Sequence, residues 1–323
     1  MDECVLLADV GATNARFAFL LHGALSPITS FEVRNFSTFE DALAAFYNSN
    51  VGARSNVGAR ASRAILAVAG LIDHGRCVLT NCSWVIDAHV LKRSFGLEAK
   101  IVNDFEAVAL AIPALQLDGL SQIGGGHSQN AAAKVVLGPG TGLGVSALLV
   151  NARGPLVLAS EGGHVTLAGG SEREDCIISL LRKKFGHASA ERAISGSGLE
   201  NIYQAVIALD GKSASPLSAA EITGRALAGE CGPCREALQI FCALLGSFAG
   251  NMALTFGALG GVYIAGGIAP RIMKFLASSE FRSRFDAKGR FERYLQNIPT
   301  FVIVHPAAAF HGLKYLAESD RVG

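Results

Sequence analysis

This chain lacks any marked charge imbalance. Its 28 basic and 27 acidic residues leave a formal net charge of +1, so no electrostatic footprint points to a nucleic acid or a membrane surface. Long uninterrupted apolar runs are also missing. The longest contain glycines and polar residues, and none reads as a membrane helix. Asp2 and Glu3 stand before the first apolar run, where a secretory signal carries positive charge, so no signal is expected there. Cysteine is sparse and odd in number: Cys4, Cys77, Cys82, Cys176, Cys231, Cys234 and Cys242. An odd set without a signal reads as reduced thiols, and the expected location is the cytoplasm. Cys231-Gly-Pro-Cys234 has the short redox spacing, but no thioredoxin-like strand precedes it and no second pair completes a zinc site, so it reads as a bystander.

What the chain has in quantity is glycine, 37 in 323 residues, beside 50% hydrophobic and 17% charged residues. That length buries a sizeable core and suits two lobes, and the glycines imply tight turns or close backbone approaches. Apolar runs at 4–10, 15–21, 64–70 and 99–102 alternate with helical patterns, which indicates an α/β class. Ser37 is placed to cap a helix from 38 to about 48, with Glu40 at its third position. A second helix is expected from Ile86 to Phe95, ended by Gly96. The segment Gly124 to Lys134 reads as a mobile surface loop between two units. Helices are expected at 174–185, 198–209, 218–228 and 234–257. A strand-like FVIVH and a helix around Ala309–Glu318 close the chain. The basic run from Arg271 to Arg293 reads as solvated helix surface. The tail is expected to return to the first lobe, giving a small α/β lobe of 1–112 plus 301–323 and a large α/β lobe of 113–300.

Six places are candidates for chemistry. Asp9-Val-Gly-Ala-Thr-Asn14 joins two apolar strands. It reads either as a phosphate-contacting hairpin, with Asp9 orienting a hydrated magnesium ion, or as an ordinary turn whose Asp and Asn satisfy turn donors. It lacks the Gly-Lys-Ser/Thr ending of the P-loop, and a strand follows it where the dinucleotide fingerprint needs a helix. Asn103-Asp104 follows a strand and opens a helix. Asp104 is positioned either as a general base for a hydroxyl attacking a phosphoryl group or as a plain helix N-cap. Gly138-Pro-Gly-Thr-Gly-Leu-Gly144 sets four glycines and Thr141 between two apolar strands and reads either as a second phosphate turn or as a flexible β bend. Glu161-Gly-Gly-His164 offers a carboxylate and an imidazole to a polyhydroxylated ligand, or is a surface turn. Glu191 adds an acceptor, or is surface or capping. Gly266-Gly267 ends a third strand, either to let a nucleotide approach or simply to pack.

In order, LADVGATNARFAF, VNDFEAVALAIPAL, GPGTGLG, EGGHV, ERAISGSGL and GGVYIAGGIAPR span nearly the whole chain. Together they make it resemble the bacterial glucokinase family, within the actin-like sugar-kinase superfamily. Neither an N-terminal helix-turn-helix extension nor the cysteine-rich metal motif of the ROK group is expected. The resemblance implies a two-lobed actin-like sugar kinase fold with an interlobe active-site cleft. It implies ATP-dependent phosphorylation of the 6-hydroxyl of glucose, with Mg2+ and a homodimer. It makes Asp104 the general base, with Asn103, Glu161, His164 and Glu191 as sugar contacts. Ala8, Asp9, Val10, Gly11, Ala12, Thr13 and Asn14 fall on the ATP phosphate side, Gly140, Thr141 and Gly142 on the second phosphate loop, and Gly266 and Gly267 on the adenosine side. Asp9 would reach the metal through water. The family's usual opening is Asp-Val-Gly-Gly-Thr-Asn, whereas here Ala12 replaces the second glycine and Ala8 stands where glycine is frequent. A left-handed angle at position 12 would cost alanine about 1–2 kcal/mol.

Overall fold

The computed structural model describes residues 4–49, 61–79, 82–115, 117–152 and 154–319. The chain divides into two compact units, Met1–Leu115 with Pro306–Gly323, and Gln116–His305.

In the first unit the described residues form β1 (Cys4–Val10), β2 (Asn14–Leu21), β3 (Ala24–Leu25), β4 (Thr29–Glu32), β5 (Arg63–Val68), β6 (Gly70–Asp73), β7 (Arg76–Leu79), β8 (Val85–Asp87) and β9 (Glu98–Asn103). The main sheet runs β3-β2-β1-β5-β9, with β4 also paired to β2, while β6, β7 and β8 make a small separate sheet. β1, β5 and β9 are parallel, and β2 returns antiparallel to β1. Val5, Leu6, Leu7 and Ala8 are all fully buried, which is why β1 reads as a continuous apolar run: a central strand covered on both faces has no solvent side to make polar. Phe17 stacks on Phe46 at 5.3 Å between ring centroids, fastening the helix Phe39–Asn48 to the sheet.

That helix is capped one residue later than expected. Thr38, not Ser37, accepts from the Asp41 amide, and Asp41 rather than Glu40 completes the reciprocal box. The next helix begins at Ala88 instead of Ile86. Ile86 is fully buried within β8, and the Asp87 side chain accepts from the His89 and Val90 amides to start the helix. Gly96 ends it in the left-handed region, at φ 72°.

The second unit carries β10 (Leu120–Gly124), β11 (Lys134–Pro139), β12 (Leu143–Asn151), β13 (Gly154–Ser160), β14 (Val262–Ile264) and β15 (Thr300–Ile303), in the order β10-β15-β14-β11-β12-β13. The helices Glu172–Phe185, Gly196–Leu209, Ala219–Ala228 and Gly232–Phe256 form its helical body. The last has the length and composition of a membrane span, but 78% of its most apolar window is buried by the protein's own packing.

Three expectations are corrected here. Residues 124–134 do not link two units, because the strands on either side belong to one sheet. The segment is tied down: Gln122 donates to the Gly126 carbonyl at 3.0 Å and Ser128 to the Gly260 carbonyl at 2.7 Å. Residues 301–305 stay with the second unit, because β15 pairs with β14 and β10; the helix Ala308–Ser319 belongs to the first. The 271–293 run is not simply solvated surface. Arg284 forms a bidentate pair with Glu174, the two side chains being 16% and 4% exposed, and Arg282 binds Asp286 and the carbonyls of Leu295 and Ile298.

Candidate active site

In the first unit the chemistry gathers at the carboxyl ends of parallel strands. Val10 is level with Val68, and Val68 with Asn103. With about 4.8 Å between neighbouring strands, the β1–β2 turn and Asn103 open on one sheet edge roughly 10 Å apart. This edge is where ligands settle in open parallel sheets.

The β1–β2 turn is short. Val10 pairs with Ala15, and the Gly11 amide donates to the Asn14 carbonyl at 3.0 Å. The Val33 amide donates to Thr13, and Ala69 to Val10, fixing the turn from two sides. Thr13 is exposed, while Gly11, Ala12 and Asn14 are half-buried. Ala8 and Val10 are fully buried inside β1, so side-chain contact with a ligand is open to Asp9 and residues 11–14 rather than to these two. Among the described residues only His22 and His74 are non-glycine residues with positive φ. Ala12 therefore carries no left-handed strain.

Asp9 lies opposite Arg16 in the ladder, and their charged groups meet at 3.5 Å. The Asp9 carboxylate is 20% exposed. Burial pushes its pKa up, and the Arg16 guanidinium counters that. Arg16 also donates to the Pro306 carbonyl at 3.4 Å, tying the hairpin to the chain just before the last helix. The local sequence does not single out Arg16; its place opposite Asp9 in the hairpin register is the signal that points to it.

Asn103 ends β9 and is itself the N-cap of the helix Asp104–Ala111, accepting from the Phe105 amide at 2.9 Å. The capping role weighed for Asp104 thus belongs to Asn103. Asp104 is the first helical residue, half-buried, and its Oδ1 accepts from the Phe105 amide at 3.0 Å. A carboxylate there also feels the positive end of the helix. Its charge joins burial and Cys82 in holding the Cys77 thiol up to about 11, with burial the largest influence.

In the second unit the glycine turn between β11 and β12 is the centre. Pro139 pairs with Leu143, and the Gly140 amide donates to the Gly142 carbonyl at 2.8 Å, leaving Thr141 exposed at the tip. Two segments distant in sequence pack on it, at three points. Glu191 Oε2 accepts from the Leu143 amide at 2.9 Å. The Gly196 amide donates to the Gly140 carbonyl at 2.8 Å, at the start of a helix capped by Ser195. Gly266, at φ 83°, crosses so close to the Pro139 carbonyl that a side chain there would collide with it. At Gly140 and Gly267 a side chain would meet nothing within 4 Å, so both flank open space.

The Glu161–His164 turn rests on the same strand: a substituent at Gly163 would strike the Leu143 carbonyl. Glu161 Oε2 and His164 Nε2 are 3.8 Å apart and both side chains are exposed. The Ala190 amide donates to the Val165 carbonyl at 2.9 Å, linking this turn to the one bearing Glu191. Glu161, His164, Glu191 and the Gly140–Gly142 turn are therefore one local assembly. Ser195 was missed as a contributor, although a serine before the glycines of a helix start is an N-cap signal.

Cys231 and Cys234 stand apart from this chemistry. Cys231 caps the helix Gly232–Phe256, and burial foremost raises the Cys234 thiol to about 12, far from an activated thiolate. Among the described residues no three His, Cys, Asp or Glu side chains are grouped to hold a metal ion.

A protein-family profile described as Glucokinase matches residues 6–320. A glucokinase from Chromobacterium violaceum is 45% identical over 97% of this chain and 89% of its own length. One from Paramagnetospirillum magneticum is 44% identical over 99% of each chain. Among solved structures, a glucokinase from an Antarctic psychrotroph superposes with a TM-score of 0.82 at 34% identity, covering 98% of this chain and 99% of its own.

Proposed function

The chain belongs to the glucokinase family and is an ATP-dependent glucose kinase, and we propose that it phosphorylates the 6-hydroxyl with Asp104 as general base. The observation that carries this reading is the shared sheet edge: the end of β1 and Asn103, the residue before Asp104, are level at one edge, with a single strand end between them. The estimated gap of roughly 10 Å leaves room for a phosphoryl group and the sugar carbon that bears the accepting hydroxyl.

In this reading Asp104 accepts the hydroxyl proton as the oxygen attacks the γ-phosphorus, and the bond to the β-phosphate oxygen breaks to release ADP. Asn103 uses Oδ1 for its helix cap, so its Nδ2 is the donor it offers to a sugar hydroxyl. Glu161, His164 and Glu191 take further hydroxyls. Gly11, Ala12, Thr13 and Asn14 contact the nucleotide phosphates, Gly140, Thr141 and Gly142 form a second phosphate loop, and Gly266 and Gly267 leave room for the adenosine. A magnesium ion, when bound, neutralises charge on the transferring phosphates. Asp9 suits a hydrated ion: its partly desolvated carboxylate, with only a long contact to Arg16, would accept hydrogen bonds from water held by the metal, which dehydrates reluctantly. A homodimer and a cytoplasmic location belong to the same proposal.

A coupled assay with glucose and ATP tests the base. Asp104→Ala is expected to lower kcat by about 10²–10⁴-fold, with an unchanged far-UV spectrum. Near-normal turnover by the folded variant would remove Asp104 from that role.

A further inference from the structure

Glu191 is occupied before any sugar arrives. Its Oε2 accepts from the Leu143 amide at 2.9 Å, and the same atom would lie 2.5 Å from a methyl group at position 142. The backbone around it is fixed twice more. The Ser195 hydroxyl donates to the Glu191 carbonyl at 2.8 Å, and the Gly196 amide donates to the Gly140 carbonyl at 2.8 Å. Residues 191–196 thus grasp both ends of the turn that runs from Gly140 to Leu143. A carboxylate accepting a backbone N–H is among the stronger hydrogen bonds available to a protein.

We propose that Glu191 is a positioning residue for the Gly140–Gly142 turn, and that through it sugar occupancy sets the shape of the nucleotide phosphate site. The inference rests on the family reading above, which makes Glu191 a sugar contact and the turn a phosphate contact. One carboxylate oxygen holds the Leu143 amide, and the second is the acceptor for a sugar hydroxyl. A sugar bound there orders the carboxylate and, with it, the turn. Linkage then requires nucleotide to tighten sugar by the same factor as sugar tightens nucleotide. A residue that only gripped sugar would leave nucleotide binding in the absence of sugar untouched.

Calorimetry with ADP, with and without glucose, separates these roles. Glu191→Ala is expected to weaken ADP about tenfold with no sugar present, the usual scale for losing a hydrogen bond to a charged group, and to abolish the effect of glucose on ADP affinity. Glu191→Gln, whose amide oxygen still accepts from Leu143, is expected to stay within about threefold of the parent protein for ADP alone. Wild-type ADP affinity in folded Glu191→Ala, with only the glucose KM raised, overturns the proposal. So does a parent protein whose ADP affinity ignores glucose. If Glu191→Ala does not fold, Gly142→Ala serves instead. Its methyl group displaces Oε2 while Glu191 remains, and unchanged linkage between ADP and glucose in that variant overturns the proposal equally. A parent protein that binds no ADP at all removes the family reading itself, an outcome distinct from failure of the Glu191 variants alone.

Discussion

Ala12 is the residue at which the chain departs from its family's opening, and the backbone there makes the departure mild. The position has no positive φ, so the added methyl group meets no left-handed penalty. Ala12→Gly is therefore expected to leave kcat/KM for ATP within about twofold and to lower Tm slightly, because glycine loosens the unfolded chain by about 0.4–1 kcal/mol. A large rise in ATP affinity would show that the methyl group obstructs the nucleotide. Gly266 is the opposite case. Its φ of 83° and the Pro139 carbonyl beneath it leave no place for a side chain, so this glycine is required by close packing of two strand ends before any ligand is considered.

Elements in this protein are started by short polar side chains whose exact position matters. Asp87 begins the helix Ala88–Phe95 by accepting two amides, the His89 amide contributing most to holding its pKa below the usual aspartate value. A carboxyl group lowered in the folded state lends stability above its unfolded pKa, about 3.9, and that stability is lost as pH falls through the lower folded value. Asp87→Ala is thus expected to reduce Tm at pH 7, with the difference from the parent shrinking below about pH 4. A difference independent of pH would place the effect in packing. Asn103, with no charge to titrate, starts the helix Asp104–Ala111 by accepting the Phe105 amide, and so fixes the candidate base as the first helical residue.

Across the whole molecule, contacts between distant segments decide what adjacent sequence leaves open. Glu174 and Arg284 are 110 residues apart and form a largely buried bidentate pair, with Glu174 also accepting from the Gly170 amide at 2.7 Å. Gly170 lies shortly after the Glu161–His164 turn, so this pair anchors the chain leaving a candidate sugar contact. Arg284→Met strands a buried carboxylate and is expected to cost about 3–5 kcal/mol in urea unfolding. Adding Glu174→Gln is expected to recover at least half of that loss, since the lone charge is gone. A loss below about 1 kcal/mol would mean that the pair contributes as an exposed one does. The helix Ala308–Ser319 makes a similar long-range return: Gly312 packs so tightly on Ala107 that a side chain would strike its carbonyl.

Much of the candidate site was legible because its parts are local. Apolar runs ending in glycine turns, the strand that follows Asp9, and Asp104 at a strand-to-helix junction are short-range patterns governed by backbone geometry and burial. Those elements and the order of the family's segments follow from neighbouring residues alone, but neighbours carry no more than that. They do not determine that Arg16 faces Asp9, that Glu191 holds the Leu143 amide, or that β15 joins the second sheet. Nor do they reveal Arg284 as an inward-facing charge. These depend on which strand lies beside which and on partners far along the chain, and local periodicity carries no record of such pairings. Tertiary structure decided them because buried amides and charges must find partners, and the fold dictates which partners are within reach.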